Sequence, residues 1–207
     1  MATREKLIKL ILKGDPVAFH MFCRDLDESE LDISGATFRT LNLPGYDLSG
    51  FDLSATEWED CTMTGVRFEN TDLSNSYLHG CTLIDVHAEN ANFEGAAVEN
   101  CVVRHAHMIN LDYTASEFSG TRFIQCEVEG GTWSEVDWGQ LTFDGGHFKN
   151  AQGGDGTFKN IQFREMVLDG VDLTKLDASR SFYYRCQMTD TNLGDGFKEK
   201  AGRRRTV

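Results

Sequence analysis

His87, His107, Glu127 and His147 stand at intervals of twenty residues, and imidazole and carboxylate groups are common ligands of transition metals. Cys61, Cys81 and Cys101 keep the same interval and have the chemistry of a thiolate zinc site. Gly153-Gly154-Asp155-Gly156 has the composition of a phosphate cradle, and Asp and Glu are plentiful enough to furnish acid–base pairs. Each of these chemistries requires convergence: several ligands on one ion, a loop of free amides, or two carboxyls on one reacting atom. Whether the residues converge depends on what spaces them by twenty.

Twenty is a multiple of a shorter period. From Ile33 to Leu193, every fifth residue makes a column of thirty-three positions; all but Gly153 are apolar or tyrosine, and only Ala88 and Ala178 are small. Two residues before each centre, 24 of the 33 are Ala, Cys, Ser, Thr, Val or Gly, so bulky and small inward positions alternate. Side chains repeat every 3.6 residues in a helix and every 2 in a strand, so neither explains a period of five. A chain that turns a corner every five residues does. Two inward residues per side and four sides make a twenty-residue coil, and stacked coils bury together what one coil leaves bare.

Residues twenty apart then lie one above another at about 4.8 Å, the spacing of paired strands. The chemical sets become ladders, which do not converge. The cysteines fall in the small inward column and are expected to be core thiols; the His column is expected to be solvated surface. The glycine run lacks the GK[ST] that completes a P-loop and sits inside the lattice, where a corner explains it. No GxSxG or HExxH occurs. The expectation is a protein with no catalytic residues, no metal and no cofactor. Gly153 removes a large side chain from the column holding Trp133 and Leu173, and Trp133 is expected to fill part of the space.

Units such as Tyr46-Asp47-Leu48-Ser49-Gly50, Thr71-Asp72-Leu73-Ser74-Asn75 and Ala91-Asn92-Phe93-Glu94-Gly95 resemble the pentapeptide-repeat family over about Leu31–Asp195. The resemblance implies an all-β solenoid, a right-handed quadrilateral β-helix of about eight twenty-residue coils. The phase never breaks, so no inserted loop is expected, unlike several topoisomerase-protecting members.

An open stack must be capped at its ends. Residues 1–30 are expected to form a helical N-terminal cap: Leu7, Ile8, Ile11 and Leu12 suit one face of a short helix, Gly14 ends it, and Asp15-Pro16 begins a second carrying Phe19, Phe22 and Leu26. The β-helix is expected over 31–195. Residues 196–207 form a basic tail with Lys198, Lys200, Arg203, Arg204 and Arg205.

The net charge is −13, which argues against direct nucleic-acid binding and against anionic membranes and favours a cationic protein partner. No signal peptide or membrane span is read, and six cysteines without a CxxC pair suit a reducing, cytoplasmic setting. The lattice assigns each outward residue to a side. Side 1, centred on Ile33 and Leu53, carries nine acids and one base; side 2, on Phe38 and Trp58, seven and three; side 3, on Leu43 and Met63, three and four; side 4, on Leu48 and Phe68, seven and two.

The candidate partner-binding carboxylates are Asp32, Asp52, Asp72, Glu94 and Asp112 on side 1, with Asn92 continuing the row, and Glu57, Glu59, Asp60, Glu99 and Glu117 on side 2. The Asp before each centre also has a role without any partner, since its side chain can bond turn amides. The resemblance implies a specific function, because some members are duplex-DNA mimics that bind bacterial gyrase or topoisomerase IV and confer antibiotic or toxin resistance. The alternative is a general interaction scaffold using an apolar patch on side 3, Ile84, Val102, Ile124, Phe182 and Tyr184. Phe182-Tyr183-Tyr184 lies in the last coil, and either forms an end-to-end homodimer or packs under the tail.

Overall fold

The computed structural model describes residues 2–200, so Arg203, Arg204 and Arg205 lie outside the described residues. From Leu31 onward the chain winds as a right-handed, four-sided β-solenoid of about eight coils. Residue pairs repeat at an interval of twenty: Phe38 pairs with Trp58, Leu43 with Met63, and Met108 with Val128. All these pairings are parallel. Side 2 is an eight-stranded sheet running from Thr37–Arg39 to Leu176–Asp177, and side 3 runs from Asn42–Pro44 to Phe197–Glu199. Side 1 is held by single bridges, among them Asp32 to Asp52 and Asp52 to Asp72.

The five-residue period has a backbone cause. Thr40, Ala55, Asp60, Asn70, Asn75, Asp85 and Asn90 all have φ between 52° and 55°, with glycines at Gly35, Gly45, Gly50, Gly65 and Gly80 between 63° and 73°. Each left-handed residue turns the chain, and the next side begins. Inward side chains then stack on their counterparts, as Phe38 on Trp58 (4.2 Å between ring centroids), Phe118 on Trp138 (4.5 Å) and Phe123 on Phe143 (4.6 Å).

The core is continuous but uneven. Around Ala88, Val98, Val103 and Ala106 the inward residues are small, and a cavity of about 40 Å³ runs there, lined by apolar side chains from Trp58 to Phe123. Toward the C-terminus Trp133, Trp138, Phe143, Phe148, Phe158 and Phe163 fill the interior. Trp133 is not the side chain nearest the missing Gly153 Cβ. Its ring packs against Tyr113 and Trp138, both at 4.8 Å, and Nε1 donates to Gly130 O at 2.9 Å. Leu176 is nearest, reaching within 3.0 Å of where a Gly153 Cβ would stand.

The N-terminal helices α1 (Thr3–Leu12) and α2 (Pro16–Cys23) close the first coil. The Asp15 carboxylate caps α2 by accepting from Ala18 N at 2.9 Å. Leu7, Ile11 and Phe19 are buried, and Phe19 packs on Tyr46 (5.2 Å) and Phe51 (5.6 Å). The Asp47 amide, whose counterpart Arg67 donates back to Tyr46 O, has no earlier coil to meet and donates to His20 Nε2 at 2.9 Å. Leu12 departs from expectation. It lies 52% exposed, because it is rotated away from the Leu7–Ile11 stripe that meets the coil. At the other end, Phe197–Glu199 is a strand, pairing Ser181 with Phe197 at an offset of sixteen, and Phe197 is buried against Phe163 (5.3 Å).

The corners differ in what they tolerate. A Cβ on Gly65 (φ 64°) meets nothing within 4 Å, whereas one on Gly146 (φ 92°) would stand 2.1 Å from Cys126 O. Gly65→Ala is expected to cost about 1 kcal/mol, and Gly146→Ala several times that, on the order of 3 kcal/mol or more, read by equilibrium unfolding. Equal losses for the two would show that corner strain, rather than coil-to-coil contact, limits both.

Candidate functional site

The ladders can now be read as geometry. Cys61, Cys81 and Cys101 are each about 1% exposed, and their Sγ atoms donate to Phe38 O (3.5 Å), Trp58 O (3.4 Å) and Leu78 O (3.6 Å) respectively. Each thiol points at its own carbonyl, so the three do not share a centre. All six cysteines are free. Burial pushes the Cys126 thiol up, and burial together with Asp47 raises half-buried Cys23 to about 11. The Cys126 and Cys23 thiols are therefore protonated at neutral pH and are poor nucleophiles, whereas a hydrogen bond from Cys81 draws the Cys101 thiol down.

In the His column the His87 and His107 rings stack at 4.9 Å, His107 Nδ1 lies 2.9 Å from Glu127 Oε2, and His147 Nδ1 lies 3.7 Å from Glu127 Oε1. Among the described residues no group of three or more His, Cys, Asp or Glu side chains is arranged to hold a metal ion. In the glycine run, Gly153 N donates to Asp172 O (2.7 Å) and Gly154 N to Trp133 O (3.0 Å). Those amides are taken by neighbouring coils and cannot cradle a phosphate.

The acidic sides are the most regular feature. On side 1 the row Asp32, Asp52, Asp72 and Asp112 is half-buried, and each Oδ1 accepts from the amide two residues on, at 2.8 to 2.9 Å. Asn92 does the same for Glu94 N at 2.9 Å and also donates to Asp72 Oδ1 at 3.1 Å, tying two coils together. One carboxylate oxygen therefore serves the turn. Asp172, overlooked in the sequence, continues the row with bonds to Thr174; it stands in the same column, so the period could have found it. The Ser34 amide and hydroxyl hold the Asp32 carboxyl below the usual range.

Among the described residues no ion pair involves a side 1 carboxylate, whereas the other sides are partly neutralised. On side 2, Glu59 pairs with Arg39 (2.6 Å), Glu57 accepts from Thr37 (3.2 Å), and Glu99 accepts from the Tyr77 hydroxyl (3.0 Å). Asp60 is a left-handed corner, and Glu117 and Glu94 are exposed. On side 3, Ile84 and Ile124 share a column with Arg104 between them, and Val102 is followed by Arg122. Phe182 stands three coils beyond Arg122, with Lys200 Nζ 4.3 Å over its ring, and Tyr184 lies beneath Arg185 (5.0 Å). The residues expected to form one apolar patch are thus two separate groups, and Phe182 packs under the terminal segment.

Asn92 shows that an amide satisfies the same turn, so Asp52→Asn is expected to leave stability within about 0.5 kcal/mol of the parent, while Asp52→Ala loses about 1 kcal/mol. Chemical denaturation measures both. Asp32 has a depressed folded-state pKa, so its contribution is present at neutral pH and is lost as pH falls through that value. Asp32→Asn should accordingly differ from the parent above the carboxylate range and converge with it in strong acid.

Residues 42–80 and 61–99 match the family model for pentapeptide repeats. No curated protein matches the sequence. Among solved structures the chain is similar to HetL, a pentapeptide repeat protein involved in heterocyst differentiation regulation from the cyanobacterium Nostoc sp., at 16% identity over 79% of this chain and 85% of HetL, with a TM-score of 0.43. It is also similar to full-length QnrB1, a plasmid-mediated fluoroquinolone resistance protein, at 17% identity over 81% and 85% of the two chains, with a TM-score of 0.40. The pentapeptide repeat matched over 42–99 continues with the same period and register from Ile33 to Leu193.

Proposed function

We propose that this chain is a non-catalytic binding rod whose acidic sides enter a cationic, duplex-shaped groove on a protein partner, the DNA-binding groove of a bacterial type II topoisomerase. The supporting observation is the unneutralised row on side 1, whose carboxylates repeat at one strand spacing with a second oxygen left for a partner. Residues 31–195 carry 26 acids against 10 bases. Over eight coils of about 4.8 Å that is roughly one net charge per 2.4 Å, against about 1.7 Å in duplex DNA.

Binding rather than catalysis is supported by where the concavities lie. One is the apolar cavity inside the core, and two open beside the cap helices, one of them reaching the first coil at Asp47, Ser49 and Phe51, away from the Asp72–Asp112 part of the row. The partner class follows from the family resemblance, in which some members mimic duplex DNA toward these enzymes. A homodimer through the last coil would double the rod; the outer strand Gln187–Thr189, with Met188 38% exposed, offers it an edge. A scaffold acting through side 3 has less support, since Arg104 and Arg122 interrupt its apolar residues.

The test is a pull-down from bacterial lysate with the parent and an Asp52→Asn, Asp72→Asn, Asp112→Asn variant, which keeps the turns. Expected are gyrase or topoisomerase IV subunits on the parent, with recovery falling on the order of tenfold in the variant and at raised salt. Capture indifferent to both changes sinks the mimicry, and recovery of no topoisomerase sinks the partner.

A further inference from the structure

The interior void in mid-rod has walls of one kind. Ala88 is paired with Met108 in the coil above it, Val98 stands between Leu78 and Phe118, and Val103 between Leu83 and Phe123. A coil short of bulk between two fuller ones leaves space on the axis, because paired strands keep their spacing and the coils cannot close in. The surrounding side chains register that space. Leu83, Phe93 and Met108 sit at inward centres and line the cavity, yet they are only partly buried. In the Leu83 column, by contrast, Leu43, Met63, Phe143 and Phe163 are at most 2% exposed. The surface that Leu83, Phe93 and Met108 keep is the wall of the void.

We propose that this void is a dry binding site for one small non-polar guest, of the size of a xenon atom or a short unbranched hydrocarbon. Water is a poor occupant. The 40 Å³ gives it room, since about 10 to 15 Å³ holds one molecule, but a buried water needs two to four polar partners. The wall supplies none: Tyr113 contributes its ring, and no polar atom opens on the space. The backbone groups of these coils are already taken by their neighbours, as Val102 N by Cys81 O and His107 N by Val86 O, both at 2.9 Å. A non-polar guest has no hydrogen bonds to lose, and it supplies the dispersion contacts that the lining side chains lack. Shape limits its size. The lining runs from Trp58 to Phe123, more than three coils of the stack, so the space is narrow for its length and suits a slender guest over a branched or fused-ring one. A guest held there touches coils on both sides of the gap, and because it binds only the folded rod it raises stability with its concentration.

Methyl NMR of the full chain under xenon tests this, with helium at equal pressure as the comparison. Expected are shifts of the Leu83, Ala88, Val98, Val103 and Met108 methyl signals that saturate with xenon pressure and are absent under helium. Leu43 and Leu168, fully buried outside the cavity, should stay in place. The thermal unfolding midpoint should rise with xenon pressure. Ala88→Leu fills the space and should abolish the saturable shifts. Val98→Leu is the milder filler, restoring the residue type that Leu78 holds one coil earlier, and should weaken them, so the test stands even where Ala88→Leu does not fold. The Asp52→Asn, Asp72→Asn, Asp112→Asn variant should take up xenon like the parent, which separates this site from the acidic rows. No saturable shift in the parent, equal shifts under helium, or shifts that persist in both fillers overturn the proposal. Nuclear Overhauser contacts between water and these methyls overturn it in favour of a wet cavity.

Discussion

The left-handed residue at the end of each side is the constraint on which the molecule depends. For a residue with a Cβ this conformation costs roughly 1 to 2 kcal/mol, and among the described residues twenty non-glycine residues adopt positive φ. Asn and Asp, which tolerate it best, hold many of these corners; Ala55, His105 and Arg180 show that others are forced into it. What forces them is the coil above and below. Amides just before a centre donate back, as Asp52 N to Leu31 O, and amides at the centre donate forward, as Leu53 N to Asp72 O. A coil that missed its corner would lose register on both neighbours.

The same register stacks like charges. Asp52 and Asp72 are bridged directly, and two unit charges at about 4.8 Å in water repel by about 1 kcal/mol. The row persists because each Asp is tied to a turn amide and Asn92 interrupts the series with a bond to Asp72. The turn has already oriented these carboxylates, so a cationic partner meets a row that needs little further ordering.

Much of this was legible in the sequence, because size must repeat wherever strands stack. The period located the coils, the inward cysteines and the acidic columns, and Asp15-Pro16 marked the second helix. The misreadings share one cause: they concern side chains that leave their own layer. Leu176, a bulky residue in a column of small ones, was the visible signal for what covers Gly153. The final strand shifts from an offset of twenty to sixteen and so falls off the lattice. Which carboxylates are paired, and which way Leu12 faces on the coil, depend on partners that a five-residue pattern does not encode.

The unevenness of the interior bears on how the rod comes apart. In a solenoid each coil touches only its neighbours, so stability is a chain of nearest-neighbour terms rather than one global sum. The alanines and valines around the 40 Å³ cavity make the weakest of those terms fall in mid-rod, between the capped end and the aromatic stack that starts near Phe118. Tension along the axis is therefore expected to part the rod beside this cavity before the aromatic stack gives way.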